Sequence, residues 1–237
     1  MNKNDDSQYN HYPNGISSYL IGSSKTYPGN KITFSKYTNV GHVVLDSRLR
    51  NKGGNKTGDM FVTSGMLDIA YDPGKKEHCA HTSTHNFRML IDHFLSKKVG
   101  WTDSQILCNA KINQIINKQQ NKIPDWAGFH LFGRYQTEND LYVASFRMDG
   151  NVVIKKKKSG TYTTLKTKKL NVSLLNVEKK FGFKIENKNN SNSVLLSFYI
   201  DGEKILEAED NSDIILWGTH GLRIDYCDVY IYSIAVL

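Results

Sequence analysis

The sequence predicts an all-β domain, either a sandwich or a barrel. Short runs rich in Val, Ile, Tyr, Phe and Thr recur between turn signals, among them DLYVASFRM, NVVIKKKK and SVLLSFYI. Asp149-Gly150, Ser159-Gly160 and Asp201-Gly202 separate such runs and supply the positive φ angles that tight hairpins need. Many short strands at this spacing are typical of antiparallel sandwiches and barrels.

The predicted strands follow one another along the whole chain. In order they are ITFSKYT, GHVVLDSR, MFVTSGMLDIAY, NFRMLIDHF, AGFHLFGRY, DLYVASFRM, NVVIKKKK, TYTTLKT, FGFKIEN, SVLLSFYI and DVYIYSIAV. Residues 106–122 are the best helix candidate, although their start also matches a strand and their polar end a loop. Residues 1–12 are predicted to be a loose arm, and residues 13–237 a single domain of ordinary size.

Charge is distributed unevenly along the chain. The 237 residues carry 31 Lys+Arg against 23 Asp+Glu, a formal charge of +8. Residues 126–180 hold 11 basic and 4 acidic side chains, whereas residues 181–237 hold 4 basic and 9 acidic ones. An anionic partner is therefore expected at the middle segment. No apolar run approaches the ~20 residues of a membrane span.

The segment WAGFHLFGRY (126–135) is the most informative for function. Alternation with a period of two places Phe129, Leu131 and Tyr135 on one side of the strand, and His130, Phe132 and Arg134 on the other. The following hairpin adds three candidates, Tyr142, Lys155 and Lys157. If these strands are neighbours, the polar residues converge on one basic face of a sheet. Lysines on an outer strand face, such as Lys156 and Lys158, also fit simple solvent exposure.

Several segments together resemble a known superfamily. They are DMFVTSGML (59–67), NFRM (86–89), DWAGFHLFGRYQ (125–136), LYVAS (141–145), RMDGNVVIKKK (147–157), GTYTTL (160–165) and GLRID (221–225). In this order they are similar to concanavalin A-like, laminin-G-like jelly rolls of secreted bacterial carbohydrate-associated proteins. The resemblance is clearest over residues 59–237 and implies two stacked antiparallel sheets with a glycan-binding face. It also implies an extracellular or surface location, although the N-terminus shows no export signal.

The favoured interpretation is a polysaccharide lyase that acts on an acidic polysaccharide by β-elimination. Such a reaction needs a cation for the uronate carboxylate, a base and an acid. Arg134 is the predicted clamp and His130 the base, with Tyr142 or Tyr162 as the proton donor. Residues expected to bind the substrate are Arg88, Trp126, Lys155 and Lys157. Similar His, Tyr, Arg and Lys sets serve β-elimination in the jelly-roll lyases that the chain resembles.

Other functions remain open. The same residues would equally form a non-catalytic carbohydrate-binding or surface-attachment module on this fold. A glycoside hydrolase is less favoured, because it needs two carboxylates about 5–10 Å apart and strands 127–135 and 152–158 contain no acid. Nucleic-acid binding fits the basic charge but lacks a recognisable motif.

Two clusters raise the question of metals. The segment EHCAHTSTH (77–85) contains His78, His81 and His85, whose spacing does not match a common structural zinc pattern. The acid-rich segment EAEDNSD (207–213) is expected to be a solvated loop that offers oxygen ligands to a structural Ca²⁺. No cofactor is required for either main hypothesis. The three cysteines are too few for a disulfide scaffold.

Overall fold

The computed structural model describes residues 60–91, 102–116, 123–188 and 192–237, together with Asn190 and three short strands nearer the N-terminus. The predicted arm over residues 1–12 lies outside the described residues. In the described part of the chain, no helix is long and apolar enough to cross a membrane.

Seventeen strands and no α-helix occur among the described residues. They are β1 (Lys31–Thr33), β2 (Val43–Asp46), β3 (Lys56–Thr57), β4 (Met60–Ser64), β5 (Met66–Asp72), β6 (Glu77–Thr84), β7 (Phe87–Ile91), β8 (Ser104–Ile115), β9 (Gly128–Thr137), β10 (Asp140–Arg147), β11 (Asn151–Lys158), β12 (Thr161–Lys169), β13 (Glu178–Lys188), β14 (Ser193–Ile200), β15 (Glu203–Asp210), β16 (Thr219–Asp225) and β17 (Cys227–Val236).

The strands form two antiparallel sheets. Sheet A has nine strands in the order β15-β14-β13-β8-β17-β6-β5-β2, with β1 also paired to β17. Sheet B has eight strands in the order β12-β11-β10-β9-β16-β7-β4-β3. The predicted all-β sandwich is confirmed, and the helix candidate over residues 106–122 begins as strand β8. Strand β6 was not predicted, because its Ser/Thr/His-rich sequence suggested a loop.

Tight hairpins join several of these strands where the sequence predicts them. Ser159 and Gly160, between β11 and β12, have φ angles of 48° and 83°. Asp201 and Gly202, between β14 and β15, have φ angles of 54° and 85°. Two successive positive φ angles give a turn whose twist matches that of the flanking strands, so both hairpins are confirmed.

The core lies between the two sheets and is rich in phenylalanine. Phe129 of sheet B stacks on Phe181 of sheet A with ring centroids 4.7 Å apart. Phe181 in turn stacks on Phe198, at 6.4 Å. All three side chains are buried. Each contributes about 1.5–3 kcal/mol by leaving water, so this contact holds the sheets together near their middle.

The predicted alternation holds for the first half of β9. Phe129 and Leu131 face the core and are fully buried, whereas His130 points to the outer side of sheet B and contacts Ser145 there. On β11, Val152 and Ile154 face the core as predicted, opposite to Lys155.

The alternation fails at Gly133–Arg134, where β9 carries extra residues relative to both neighbouring strands. Arg134 adopts a φ of 47° and points towards the interior instead of the predicted outer side. Its guanidinium is fully buried and donates to the carbonyls of Thr102 and Ile215 and to Asn187 Oδ1. The predicted placement of Arg134 beside His130 is therefore wrong, because a bulge reverses the alternation.

Tyr142 also faces the interior, so its predicted place on the outer side is wrong as well. It occupies the core side because its neighbours on β10, Leu141 and Val143, take the outer side. Its hydroxyl donates to Asp210 Oδ2 at 2.6 Å and accepts from the Ile215 amide at 3.1 Å. Burial, together with the hydrogen bond to Asp210, raises the pKa of Tyr142.

Lys156 completes this network and is not a solvated lysine. It is buried, and its ammonium donates to Asp210 Oδ1 at 2.9 Å and to the carbonyl of Ser212. Asp210 itself ends strand β15, so the segment 207–213 is only partly a loop. Both carboxylate oxygens of Asp210 accept hydrogen bonds from protein donors.

Replacing Asp210 by Ala is expected to lower the free energy of unfolding by about 3–5 kcal/mol, because Lys156 then stays buried without a counter-charge. Chemical denaturation monitored by circular dichroism measures the change. Glu203→Ala on the same strand is the control, since Glu203 is exposed and its removal is expected to cost less than ~1 kcal/mol. Equal losses for the two variants would contradict the structural role given to Asp210.

A second charged network lies on the outer side of sheet A, around His81. Its Nδ1 lies 2.7 Å from Asp68 Oδ1 and its Nε2 3.3 Å from Asp228 Oδ2. Asn113 donates to the other oxygen of Asp228 at 2.7 Å. Burial alone lowers the pKa of His81, but the hydrogen bonds and charges of Asp228 and Asp68 outweigh it and raise the pKa to about 9.

This network is expected to stabilise the protein in a pH-dependent way. Because the folded pKa of about 9 lies above the ordinary histidine pKa of 6.5, the contribution is complete below pH 6.5 and disappears as the pH rises through 9. A shift of this size corresponds to no more than about 3 kcal/mol. Denaturation of the wild type and His81→Gln at pH 6 and pH 9.5 measures it. We expect the two proteins to differ in stability at the lower pH and to converge at the higher one; a constant difference would contradict the assignment.

Candidate functional site

One row of polar side chains crosses the outer side of sheet B. Ser145, His130, Arg223 and Arg88 lie opposite one another on β10, β9, β16 and β7. Residues directly opposite on neighbouring strands have Cβ atoms about 4.5–5.5 Å apart, so the four side chains form a continuous band. Strand pairing thus brings together residues far apart in the sequence.

A buried carboxylate organises this row. His130 Nδ1 lies 2.8 Å from Ser145 Oγ, and His130 Nε2 lies 3.3 Å from Asp225 Oδ2 without the alignment of a hydrogen bond. The same oxygen lies 2.6 Å from Arg223 Nε. Asp225 is 1% exposed. One carboxylate therefore faces both an imidazole and a guanidinium.

Trp126 flanks the row beside Arg223. Its ring lies 5.4 Å from the guanidinium carbon of Arg223, within cation–π range. It also makes an edge contact with Tyr226 at 5.5 Å. Because the indole is still 45% exposed, one of its surfaces remains available to a ligand.

A second basic group lies on the same side, over β11 and β12. Lys155 and Lys157 approach the ring of Tyr162 at 5.7 and 5.1 Å. Burial and the nearby charge of Arg147 lower the pKa of Lys155. Among the described residues, no carboxylate lies within 4 Å of either lysine ammonium, whereas Arg147 pairs with Asp149 at 2.9 Å. The two lysines therefore carry an uncompensated positive charge.

Apolar side chains separate the two basic groups. Leu90, Phe132, Leu141 and Val143 form a small cluster distinct from the main core, with Tyr135 packed against it. Tyr135 reaches this side because the bulge at Gly133–Arg134 reverses the strand alternation. Its predicted place beside Phe129 and Leu131 is therefore wrong.

Unpaired polar atoms concentrate on this side of the molecule. Six buried side-chain nitrogen or oxygen atoms lack a hydrogen-bond partner among the described residues, and five of them lie on the outer side of sheet B. These five are Arg88 Nε, His130 Nε2, Arg147 Nε, Arg223 Nε and Asp225 Oδ1. Two of the five, Arg223 Nε and His130 Nε2, face Asp225 Oδ2 at 2.6 and 3.3 Å without hydrogen-bond alignment. Buried polar groups normally have a partner, so ordered water or a ligand would complete the contacts of this surface. We call it the cationic face, defined by Arg88, His130, Arg147, Lys155, Lys157 and Arg223.

Most of the predicted site residues lie on or beside the cationic face. Arg88, His130, Lys155, Lys157, Tyr162 and Trp126 do so, whereas Arg134 and Tyr142 lie inside the sandwich. His130 and the remaining predicted proton donor, Tyr162, are three strands apart. Neighbouring strands are about 4.8 Å apart, so the distance across the strands alone separates these two residues by roughly 14 Å. The structure does not bring the predicted base and acid together.

The sequence alone did not indicate four of the residues at this site, namely Ser145, Arg147, Arg223 and Asp225. A signal was present, since Arg223 and Asp225 alternate with the buried Leu222 and Ile224. What the sequence could not reveal is that β16 lies beside β9, because the two strands are far apart in the chain.

The three histidines considered as metal ligands do not converge. His81 binds Asp68 and Asp228, His78 packs against Tyr71, and His85 packs against Tyr226. Within the described ranges, no group of three or more His, Cys, Asp or Glu residues is arranged to hold a metal ion.

A separate cleft of about 240 Å³ lies between the end of β8 and the β10–β11 hairpin. Its walls are mainly apolar and include Ile115, Phe146, Met148 and Leu170. Asp149 also lines it, but its two oxygens accept hydrogen bonds from Asn151. The cleft therefore offers few groups for recognising a polar ligand.

No protein-family model matches the chain, and neither does any curated protein. Solved structures are similar in fold. The carbohydrate-binding module CBM66 from Bacillus subtilis matches with a TM-score of 0.52 and 14% identity, covering 75% of this chain and 94% of the module. The GH16 protein of the Bacteroides ovatus mixed linkage glucan PUL matches with a TM-score of 0.48 and 9% identity, covering 72% of this chain and 85% of that protein. Galectin LEC-6 from Caenorhabditis elegans matches with a TM-score of 0.42 and 14% identity, covering 71% of this chain and 95% of the galectin. At these identities the similarity to CBM66 establishes the fold, which is the predicted concanavalin A-like jelly roll.

Proposed function

We propose that this protein binds an acidic polysaccharide through the cationic face of sheet B, as a carbohydrate-binding module. The observation that carries the proposal is the excess charge of Lys155 and Lys157 beside the exposed ring of Tyr162. A polyanion would neutralise both ammonium groups, and Tyr162 and Trp126 offer rings on which sugar units can stack. The similarity of the fold to CBM66, a carbohydrate-binding module, supports the same class of ligand.

Binding without catalysis accounts for the geometry better than β-elimination does. A lyase needs its proton-transfer groups within about 3 Å of the reacting atoms, whereas a binding site needs only affinity for the ground state. His130 and Tyr162 are too far apart to serve one sugar unit, and the predicted clamp Arg134 is engaged inside the sandwich. A glycoside hydrolase needs two carboxylates about 5–10 Å apart across the scissile bond. It is not supported either, because the buried Asp225, which lies beside the cationic face, is already engaged by Arg223 and faces His130.

Binding is expected to be measurable with a panel of polysaccharides. Isothermal calorimetry of the purified protein with alginate, pectate, glucuronan and hyaluronan, beside neutral glucans and chitin, should show affinity for at least one uronate polymer. That affinity should fall as salt is added, since mobile ions screen the lysine charges. Preference for a neutral glucan would contradict the proposal. The ultraviolet absorbance of unsaturated uronates, followed in the same samples, should stay constant; an increase would identify a lyase instead.

The two lysines should account for a defined part of this affinity. Lys155→Gln and Lys157→Gln are each expected to weaken binding about tenfold, because a hydrogen bond to a charged group contributes roughly 1.5–3 kcal/mol. Lys166→Gln and Lys168→Gln on β12 are the matched controls. They remove the same charge, but Lys166 pairs with the core-facing Ile154, and Lys168 points to the carbonyl of Ile205 in sheet A. Equal losses in the two pairs would indicate nonspecific attraction and contradict a site on the cationic face.

A further inference from the structure

Two arginines of the cationic face begin side by side and extend in opposite directions. Arg223 of β16 pairs in register with Arg88 of β7. The guanidinium of Arg223 lies over the ring of Trp126, which precedes the start of β9. Arg88 is instead hydrogen-bonded with the phenol of Tyr135, near the end of β9. Like charges directly opposite each other destabilise a sheet, and this divergence keeps the two guanidinium groups apart.

The part of the face at the start of β9 combines a cation, an aromatic ring and an acid. Asp225 Oδ2 lies 2.6 Å from Arg223 Nε, and the same oxygen faces His130 Nε2 at 3.3 Å. The ring of Trp126 makes an edge contact with Tyr226 at 5.5 Å and is 45% exposed. We call Arg223, Trp126 and Asp225 the first end of the cationic face.

The part of the face beside the end of β9 has the same composition. Glu138 Oε2 lies 3.8 Å from Arg88 Nη1. The half-buried ring of Tyr135 stacks on Phe132 with centroids 6.1 Å apart. The carbonyl of Glu138 accepts a hydrogen bond from the Lys157 ammonium at 2.8 Å, so the two lysines adjoin this group. We call Arg88, Tyr135 and Glu138 the second end.

Uncharged residues separate the two ends. Gly221 of β16 pairs with Leu90 of β7 and with Phe132 of β9, and this row lies between them. Gly128, level with the acid of the first end, and Tyr135 are seven positions apart on β9, which corresponds to roughly 20 Å at about 3.3 Å per residue. This span is longer than a single sugar unit, so one unit cannot contact both ends.

Both arginines are accessible and incompletely paired. The side chain of Arg88 is 20% exposed and that of Arg223 is 22% exposed. Each keeps a buried Nε without an aligned hydrogen bond among the described residues. The acid of the second end, Glu138, is 70% exposed, so water screens its attraction for Arg88. A carboxylate from a ligand would therefore find a cation and an aromatic ring at either end.

We propose that each end is a subsite for one uronate and that a single polysaccharide chain occupies both. At each subsite the guanidinium holds the carboxylate of one sugar unit, and the neighbouring aromatic ring contacts that unit. The ligand is therefore an extended stretch of polyuronate, with further sugar units between the two that are held, and not a single acidic sugar. This inference rests on the proposed function and deepens it, because it states which form of the acidic polysaccharide is bound.

The test is the dependence of affinity on chain length. Calorimetry uses size-defined oligomers of alginate, pectate, glucuronan and hyaluronan, from disaccharides to dodecasaccharides. Oligomers long enough to span both subsites should bind the wild type at least about a hundredfold more tightly than shorter ones, because linking two binding events raises affinity without a new contact. A single subsite would instead give an affinity that rises gradually with length, since longer chains only offer more positions for binding.

Variants at either end should remove this step. With Arg223→Gln or Arg88→Gln, long oligomers should bind as weakly as short ones, because only one subsite remains. The double variant should bind short oligomers more weakly than either single variant does. Trp126→Ala should act like Arg223→Gln, and because this ring is 45% exposed, the variant tests the first end even if the loss of Arg223 prevents folding. Lys166→Gln, which removes a charge outside the cationic face, should keep the step. Thermal melting shows whether each variant is folded.

The outcomes separate the two subsites from the proposed function. If the wild type shows no step, or if a folded arginine variant keeps it, the two subsites are wrong although the protein still binds acidic polysaccharide. Complete loss of binding in one arginine variant and no change in the other would also overturn them, since that result indicates one subsite. If the wild type binds neither the oligomers nor the polymers, the proposed function fails and the subsites with it.

Discussion

The bulge in β9 at Gly133–Arg134 is the constraint on which both sides of sheet B depend. It directs the guanidinium of Arg134 into the interior, where Thr102, Ile215 and Asn187 accept its hydrogen bonds. Burying a charge costs several kcal/mol unless such partners compensate it, so the bulge and these three acceptors require one another. The reversed alternation then brings Tyr135 to the cationic face. A single irregularity thus stabilises the interior and shapes the exterior.

Two buried networks meet at the segment between β15 and β16. Tyr142 accepts from the amide of Ile215, and Arg134 donates to the carbonyl of the same residue. Lys156 and Asp210 fix the start of this segment from the other side. Inner side chains of β9, β10 and β11 are therefore tied to this segment and to Asp210 of sheet A.

Local patterns in the sequence were sufficient for the strands but not for their neighbours. Alternation and turn dipeptides predicted the hairpins around Gly160 and Gly202 and the separation of Phe129 from His130. They could not predict that β16 inserts beside β9, which is what brings Arg223 to His130. They also did not reveal the bulge, since Phe132, Gly133 and Tyr135 fit either side of the strand and the interior partners of Arg134 are distant in the chain. The burial of Lys156 was not predicted for a third reason. Its partner Asp210 is distant in the chain, and a lysine without a known counter-charge is expected at the surface.

The contrast between the two sides of sheet B separates a binding surface from an ordinary solvated one. On the inner side, each buried charge of Arg134, Lys156 and Asp210 meets protein partners. On the outer side, four charged residues and a histidine keep buried atoms without an aligned hydrogen bond among the described residues. A fully exposed polar side chain can reorient and form its hydrogen bonds with water. The side chains of this band are packed against one another and cannot reorient in the same way. The proposed anionic ligand would bind only the folded protein at the arginines and lysines of this side and would stabilise it by mass action.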